Sequence, residues 1–485
     1  MSNQVFAAGN PTKSFFINML TRDIDINDAI LDLLDNCLDG VVRKRKTDGL
    51  KKQASDFYAG YSAKIRITGN SFEIDDNCEG IPLDVAKNNA FRMGRDEDGM
   101  KEDVATVGIY GIGMKRAIFK IGKSATVFSK TDNESFSVSI PSNWDKEEEW
   151  SFPIRIDEAI EKTEKGTKII ITDLNPGIKQ LWEEEGHRGS FVDELIEHIK
   201  ASYSFIIERG FKVFVNDQEI TPNSISFKFS EEIKPFIYTR KIDDVSVRMA
   251  VGFYAAPPTI EESDHMAERS TRSTKDAGWT VICNDRVILF NNKDYLTGWG
   301  EYGVPKYHTQ FIGIRGIVEF ESNDPSKLPM TTTKRGVDLA SPIYAETKKK
   351  MCEGLKLFIN FTNNWKGTAN SDTQFFSSAL DVSFDQLVKK DYEEKSSGLN
   401  DTELEMQSQI KMTSTRDGGS QFKPSLPKKP DSSSIKYVRY PVKVEECQKV
   451  SNYLFDDEEE RVPSVVGEEC YKRYLDKALS AMEIR

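Results

Sequence analysis

Five oxygen-bearing side chains recur at helical spacing in one short stretch of this chain. In DAILDLLDNCLDG, residues 28–40, Asp28, Asp32, Asp35, Asn36 and Asp39 fall at i, i+4, i+7, i+8 and i+11, which is one stripe of an α-helix. Ile30, Leu31, Leu33, Leu34, Cys37 and Leu38 fill the other positions. Carboxylates and an amide beside apolar flanks can hold hydrated Mg2+, a hard cation that takes oxygen ligands and keeps several waters. A solvated acidic face has the same pattern, so the stripe needs support from elsewhere.

Three further motifs supply it. FEIDDNCEGIP, residues 72–82, runs a strand into a turn that presents Asp76, and its small residues allow a ligand close to the backbone. In VGIYGIGMKRAIFKIG, residues 107–122, Gly108, Gly111 and Gly113 precede an amphipathic helix with Lys115 in its first turn. Free N–H groups at a helix N-terminus, with a lysine nearby, make an anion cradle. The GxxxxGK[ST] spacing of a Walker A loop is absent. Last, GTKIIITDL, residues 166–174, sets Thr167 at the opening of a buried strand.

Taken together and in this order, the four motifs resemble the ExxxNxxD, DxGxG, GxxGxGxK and GT signatures of the GHKL ATPases, the gyrase, heat-shock chaperone, histidine kinase and MutL superfamily. The resemblance spans roughly residues 15–365. GMKRAIFKIGKSATVFSK (113–130) is similar to the MORC branch, with MutL close behind, and PTKSFFINMLTRDIDINDAILDLLDNCLDG resembles bacterial stand-alone ATPases of this type. It implies an α+β protein with a Bergerat-fold α/β sandwich, binding ATP and Mg2+ under a lid at about residues 94–113. By the same resemblance, Asn36 would bind Mg2+, Asp76 would accept the adenine amino group, Gly80 would let the chain pass close to the base, and Thr167 would support Asp76. Gly108, Gly111, Gly113 and Lys115 would wrap the phosphates. Two residues depart from the pattern. Asp32 stands where the family has its catalytic glutamate, one methylene shorter, so slow hydrolysis is expected, because a base must lie within hydrogen-bond reach of the attacking water. Cys78 replaces the first glycine of DxGxG and is expected to narrow the pocket.

The resemblance extends to an S5-like transducer domain that sends a lysine to the γ-phosphate. LPMTTTKRGVD, residues 328–338, matches that element, with Lys334 as the sensor and Arg335 as the alternative; ICNDRVI (282–288) looks like a strand–turn–strand of the same domain, turning at Asn284-Asp285. The implied mechanism is a switch. ATP closes the lid, Lys334 engages, and two protomers dimerise through their ATP domains with exchange of N-terminal segments.

Around these residues the pattern predicts the elements that must position them. A helix is expected over Ile24–Arg43, capped by Asp25 or Asn27 and ending near Gly40, and paired strands over 63–74 turning at Gly69-Asn70. Strands at 125–128, 136–140, 151–156 and 168–172 are mixed with helices at 83–91, 113–121 and 191–209 without strict βα alternation, as in an α+β sandwich. The domains read as 1–207 for ATP binding, 208–365 for the transducer, a flexible linker rich in Ser, Asp, Lys, Gly and Pro over 366–435, and a C-terminal strand–helix–helix over 436–485. Its helices fall at about 444–455 and 463–482, with a core expected from Val442, Val450, Leu454, Val465, Tyr474 and Leu479. Dimerisation or partner docking is the favoured task for it, since the acidic run Asp456–Glu460 repels DNA.

Composition narrows the class. A 485-residue chain that is 38% hydrophobic and 30% charged suits a multidomain globular protein. No stretch reaches the ~20 apolar residues of a membrane span, and no signal-peptide core is visible, so a cytoplasmic protein without membrane contact is expected. Six scattered cysteines form no CxxC pair, against a zinc site or a disulfide scaffold. A net charge of −12 disfavours bulk attraction to nucleic acid, although Arg43, Lys44, Arg45, Lys46, Lys51 and Lys52 form a local basic cluster. The first functional expectation is an ATP-gated dimeric clamp acting on DNA or with DNA-processing or operon-encoded partners, in antiphage defence among other settings. The alternative is a protein-remodelling chaperone. A kinase is disfavoured, because none of the four histidines sits in a phospho-acceptor helix upstream of the ATP domain.

Overall fold

The computed structural model describes residues 11–50, 56–92, 111–156, 162, 164–183, 190–222, 225–258, 274–331, 333–365, 375–388, 408–428, 441–455 and 461–483. Helix α1 (Lys13–Arg22) is followed by α2 (Ile26–Thr47), whose start is fixed by Asp25: its carboxylate accepts the Asn27 amide at 2.8 Å. Contrary to the expectation from sequence, α2 does not end near Gly40. The helix continues, and Gly40 serves as a contact instead, because a Cβ there would collide with the Cys78 carbonyl oxygen. Ala29, Ile30, Leu33, Leu34, Leu38 and Val41 are all at most 1% exposed. At roughly 1.5–3 kcal/mol for each large side chain, that burial fixes the rotation of α2 and so decides which way its polar residues face.

The first sheet has eight strands in the order β5-β4-β3-β6-β2-β1-β7-β8. β1 (Ser62–Ile67) and β2 (Phe72–Asp76) pair antiparallel with Ile65 opposite Ile74, and their alternating burial matches the sequence pattern. α3 (Leu83–Val85) runs into a π-turn at Ala86–Ala90, where a regular helix was expected. α4 (Gly113–Ile121), β3 (Gly122–Lys130), β4 (Ser135–Ile140), β5 (Ile154–Ile156) and β6 (Gly166–Leu174) follow. After α5 (Pro176–Glu183) comes α6 (Phe191–Glu208), opened by a capping box between Ser190 and Asp193. β7 (Lys212–Val215) then pairs parallel with β1 and carries β8 (Gln218–Glu219). The first sheet therefore runs past residue 207, and the region expected to be the transducer, 208–365, opens with the last two strands of that sheet.

The second sheet has the order β13-β12-β14-β11-β10-β17-β16. It comprises β10 (Phe236–Ile242), β11 (Val245–Phe253), β12 (Gly278–Cys283), β13 (Arg286–Asn292), β14 (Ile314–Glu321), β16 (Thr413–Ser414) and β17 (Ser420–Phe422). α7 (Pro342–Trp365) packs on it through Tyr344, Met351, Leu355 and Phe358, all buried. β9 (Ser226–Phe229) pairs with β15 (Leu380–Ser383), which leads into a helical turn, α8 (Phe384–Leu387). The described parts of 366–435 are thus docked: β17 extends the second sheet beside β10, and Phe384 and Leu387 fill a small core with Phe205 of α6. That is a correction to the free linker, whose composition concealed two edge pairings.

At the C-terminus, α9 (Val444–Phe455) and α10 (Pro463–Glu483) form at the expected places. Their core does not: Val442, Val450, Tyr474 and Leu479 are exposed, whereas Cys447 and Val466 are buried. The expected strand at 437–442 lies mostly outside the described residues. No described helix is long and apolar enough to cross a membrane.

Candidate functional site

α2 is the axis of the site. Its carboxylates are not a solvated face: Asp32, Asp35 and Asp39 are 5%, 1% and 4% exposed, while Asn36 between them is open to solvent. A packed helix that turns a single amide outward, flanked by buried charge, is what a cation ligand at a cleft requires. Mg2+ bound through phosphates needs few protein oxygens. No cluster of three or more His, Cys, Asp or Glu suited to a metal occurs among the described residues.

The base end lies where β2 meets its turn. Asp76 Oδ1 accepts the Cys78 amide at 2.7 Å and the Thr167 amide at 3.1 Å, so Thr167 holds Asp76 through its backbone. Asp76 Oδ2 accepts the Cys37 thiol at 3.3 Å. A thiol is a weak donor, which leaves this oxygen able to take a stronger N–H such as an exocyclic amine. Burial pushes the Asp76 carboxyl up and the Cys37 and Cys78 thiols well up, the neighbouring Asp76 charge adding to both thiols. Cys78 itself is buried, its thiol 3.9 Å from the Ser62 carbonyl and its side chain against Gly40.

Two glycines set the backbone here. Gly80, at φ +76°, would drive a Cβ into the Lys130 carbonyl, and Gly166, at φ +132°, into that of Asp76. The close approach at Gly80 is thus to β3. Lys162 was not foreseen: buried, it donates to Asp75 Oδ1 and to the Asp76 carbonyl, both at 2.6 Å.

The phosphate end gathers α4 and the second sheet's domain onto α2. Gly113 opens α4 with its Cα facing Asp32; a Cβ there would lie 3.4 Å from that carboxylate. Gly111 sits just before, at φ +64°, and Gly108 lies outside the described residues. Lys115 is placed otherwise than a phosphate ligand would be. It is 2% exposed, and its ammonium donates to the carbonyls of Ala90, at 2.9 Å, and Gly111. Its position in the first turn points it back along the helix, so it ties α4 to the chain before it.

Lys334 reaches α2 across some 300 residues of sequence. Its ammonium lies 2.7 Å from Asp35 Oδ2 and 3.2 Å from Asp32 Oδ1. Burial would lower its pKa, but Asp35 and then Asp32 outweigh it and hold the lysine above its ordinary value. Burial would likewise raise Asp35, yet Lys334 and Arg286 keep it below the usual carboxylate range. Arg335, the alternative sensor, pairs instead with Asp28.

At this end three further participants escaped sequence reasoning. Arg116 of α4 lies 2.5 Å from Asp32 Oδ2, Tyr203 of α6 donates to Asp35 Oδ1 at 2.7 Å, and Arg286 of β13 lies 3.3 Å from the same oxygen. Arg116 follows the glycines of its motif directly, and Arg286 follows the Asn284-Asp285 turn. Asn284 and Asp285 form the expected turn and both take positive φ, so position in a motif offered a hint for these two arginines.

The family comparison agrees with this geometry. The model of the histidine kinase-, DNA gyrase B-, and HSP90-like ATPases matches residues 24–168, from the residue before the α2 cap to β6. No curated protein matches the chain. The match supports ATP hydrolysis in general, with the Mg2+ that this family uses. Residues 24–168 are therefore an ATPase domain of the GHKL type, with the Bergerat fold.

Proposed function

We propose that the protein is an ATP-gated dimeric switch of the MORC- and MutL-like kind, in which Lys334 carries the nucleotide state from the ATPase domain to the second domain. One observation carries this reading: a buried lysine from the far domain rests between Asp32 and Asp35, on the helix that bears Asn36. The triphosphate with Mg2+ supplies the bond to be cleaved and a dense negative charge. Asn36 would ligate the cation, Asp76 Oδ2 would accept the base amine, and the backbone amides opening α4 would face the phosphates. Lys334 would leave its carboxylates for the terminal phosphate, pulling the β14–α7 connection with it. Asp32 would then orient the attacking water as base. Arg116 continues to compete for that carboxylate, and together with the shorter side chain this supports slow turnover.

In the same reading, two protomers pair through their ATPase domains, α1 contributing exposed Phe15 and Met19, and the dimer works on DNA or with DNA-processing proteins, antiphage defence being one such setting. Sizing with and without a non-hydrolysable ATP analogue tests it. The wild type should shift from monomer to dimer with the analogue, and Asn36→Ala should not. A wild type that stays monomeric contradicts the gate. DNA affinity that ignores both analogue and salt contradicts the DNA arm.

A further inference from the structure

If Lys334 leaves α2, it leaves two carboxylates behind. Asp35 is 1% exposed and Asp32 is 5% exposed. A buried carboxylate stripped of its only cation is strongly destabilising, because the charge stays out of water without compensation. A lysine holding two such groups would be locked in place. The structure provides a way out, since each carboxylate has a second cation, and each comes from a different element. Asp32 Oδ2 lies 2.5 Å from Arg116 of α4, and Asp35 Oδ1 lies 3.3 Å from Arg286 of β13.

We propose that Arg116 and Arg286 are standing counter-charges that make Lys334 releasable, with Arg286 the positioning residue that keeps Asp35 neutralised once the lysine departs. This rests on the switch reading of Lys334.

Three features favour it. Arg286 is 3% exposed, and its Nε and Nη1 make no hydrogen bond among the described residues, so a donor 3.3 Å from Asp35, the Nε, stands in reserve; Arg116 Nε likewise makes none. Arg286 is held there independently of Lys334, its guanidinium 4.3 Å over the Tyr203 ring while the Tyr203 hydroxyl donates to the same Asp35 oxygen. Its neighbour Asp285 is anchored by the Tyr58 hydroxyl at 2.8 Å and by Arg209 at 2.6 Å, so the β12–β13 turn is fixed to the ATPase domain. By contrast, Lys334 sits at φ +57°, a conformation costly for a side-chain-bearing residue and consistent with a group that has somewhere else to go.

The test is a melting cycle on the nucleotide-free full chain. Arg286→Gln and Lys334→Ala should each melt within about 3 °C of the parent, because one cation suffices for Asp35. The double variant should fall by about 10 °C, more than the sum, as a fully unpaired buried charge implies. Adding Asp35→Asn to the double variant should recover most of the loss. With nucleotide, Arg286→Gln should bind ADP as the parent does but lose about tenfold of its preference for a non-hydrolysable ATP analogue, since Lys334 is then the remaining cation paired with Asp35 among the described residues. Additive melting losses overturn the inference, as does an unchanged preference in Arg286→Gln when Lys334→Ala abolishes it. If Lys334→Ala itself keeps the preference while the cycle is synergistic, the counter-charge assignment stands and the switch reading falls.

Discussion

The two ends of the site are built in opposite ways. The base end is assembled from residues 62–81 and 162–167 with Cys37 of α2, and held largely by backbone: Asp76 takes two amides, and its own carbonyl leaves no room for a methyl on Gly166. The phosphate end is assembled from α2, α4, α6 and the second domain, and held by two carboxylates, Asp32 and Asp35, that each face two cations. A recognition pocket gains from rigidity, since its donors and acceptors must wait in place. A switch gains from ion pairs that can be exchanged at little cost, since a buried pair without an alternative would hold one state only.

Substitutions can break this contrast, the largest effect first. Gly166→Ala forces a Cβ into the Asp76 carbonyl at a positive φ, and should lower the stability of the ATPase domain by about 3 kcal/mol or more, read by denaturant unfolding. Asp76→Asn keeps an oxygen for the Cys78 and Thr167 amides, so the fold should persist while nucleotide affinity falls about 100-fold in fluorescence titration, a charged hydrogen bond being lost and a donor set against the base amine. Unchanged affinity would remove the base assignment. Lys334→Ala should leave ADP affinity within about threefold, because its carboxylates retain Arg116 and Arg286, yet eliminate the analogue-induced dimer on sizing.

The smallest effect is in pH. Burial raises the Asp76 pKa above that of an ordinary carboxylate, so the folded state binds more protons than the unfolded one between the two values, and across that window stability falls as pH rises. Nucleotide affinity should move the opposite way, weakening as pH drops through the raised pKa, because the protonated acid accepts poorly from an amine. Both slopes should vanish in Asp76→Asn. Parallel slopes for affinity and stability would contradict the acceptor role.

How much was legible follows the same division. The base end could be read in part because the turn bearing Asp76 follows an alternating strand; Thr167, 91 residues away, came only with the family resemblance, and Lys162 went unread. Turn chemistry likewise foretold the turn at Asn284-Asp285, whose two residues take positive φ. What sequence could not give were partners chosen by tertiary folding. Arg116, Tyr203 and Arg286 are ordinary residues until α2 is set beside them, and the acidic stripe reads as a surface until that packing buries it. Gly40 looked like a helix end because glycine commonly is one, but here the missing side chain admits the Cys78 turn. The docked strands within 366–435 were hidden for a related reason: edge pairing uses backbone groups, which composition does not report.

The most direct measurement of the central claim is the ratio of affinities for a non-hydrolysable ATP analogue and for ADP, in the wild type and in Lys334→Ala. A lysine that leaves Asp32 and Asp35 for the terminal phosphate predicts a wild-type ratio of about 10 or more that collapses to near 1 in the variant, in line with a charge-assisted hydrogen bond. An equal ratio in both proteins would mean that Lys334 never reaches the nucleotide and that the acidic helix is its permanent seat.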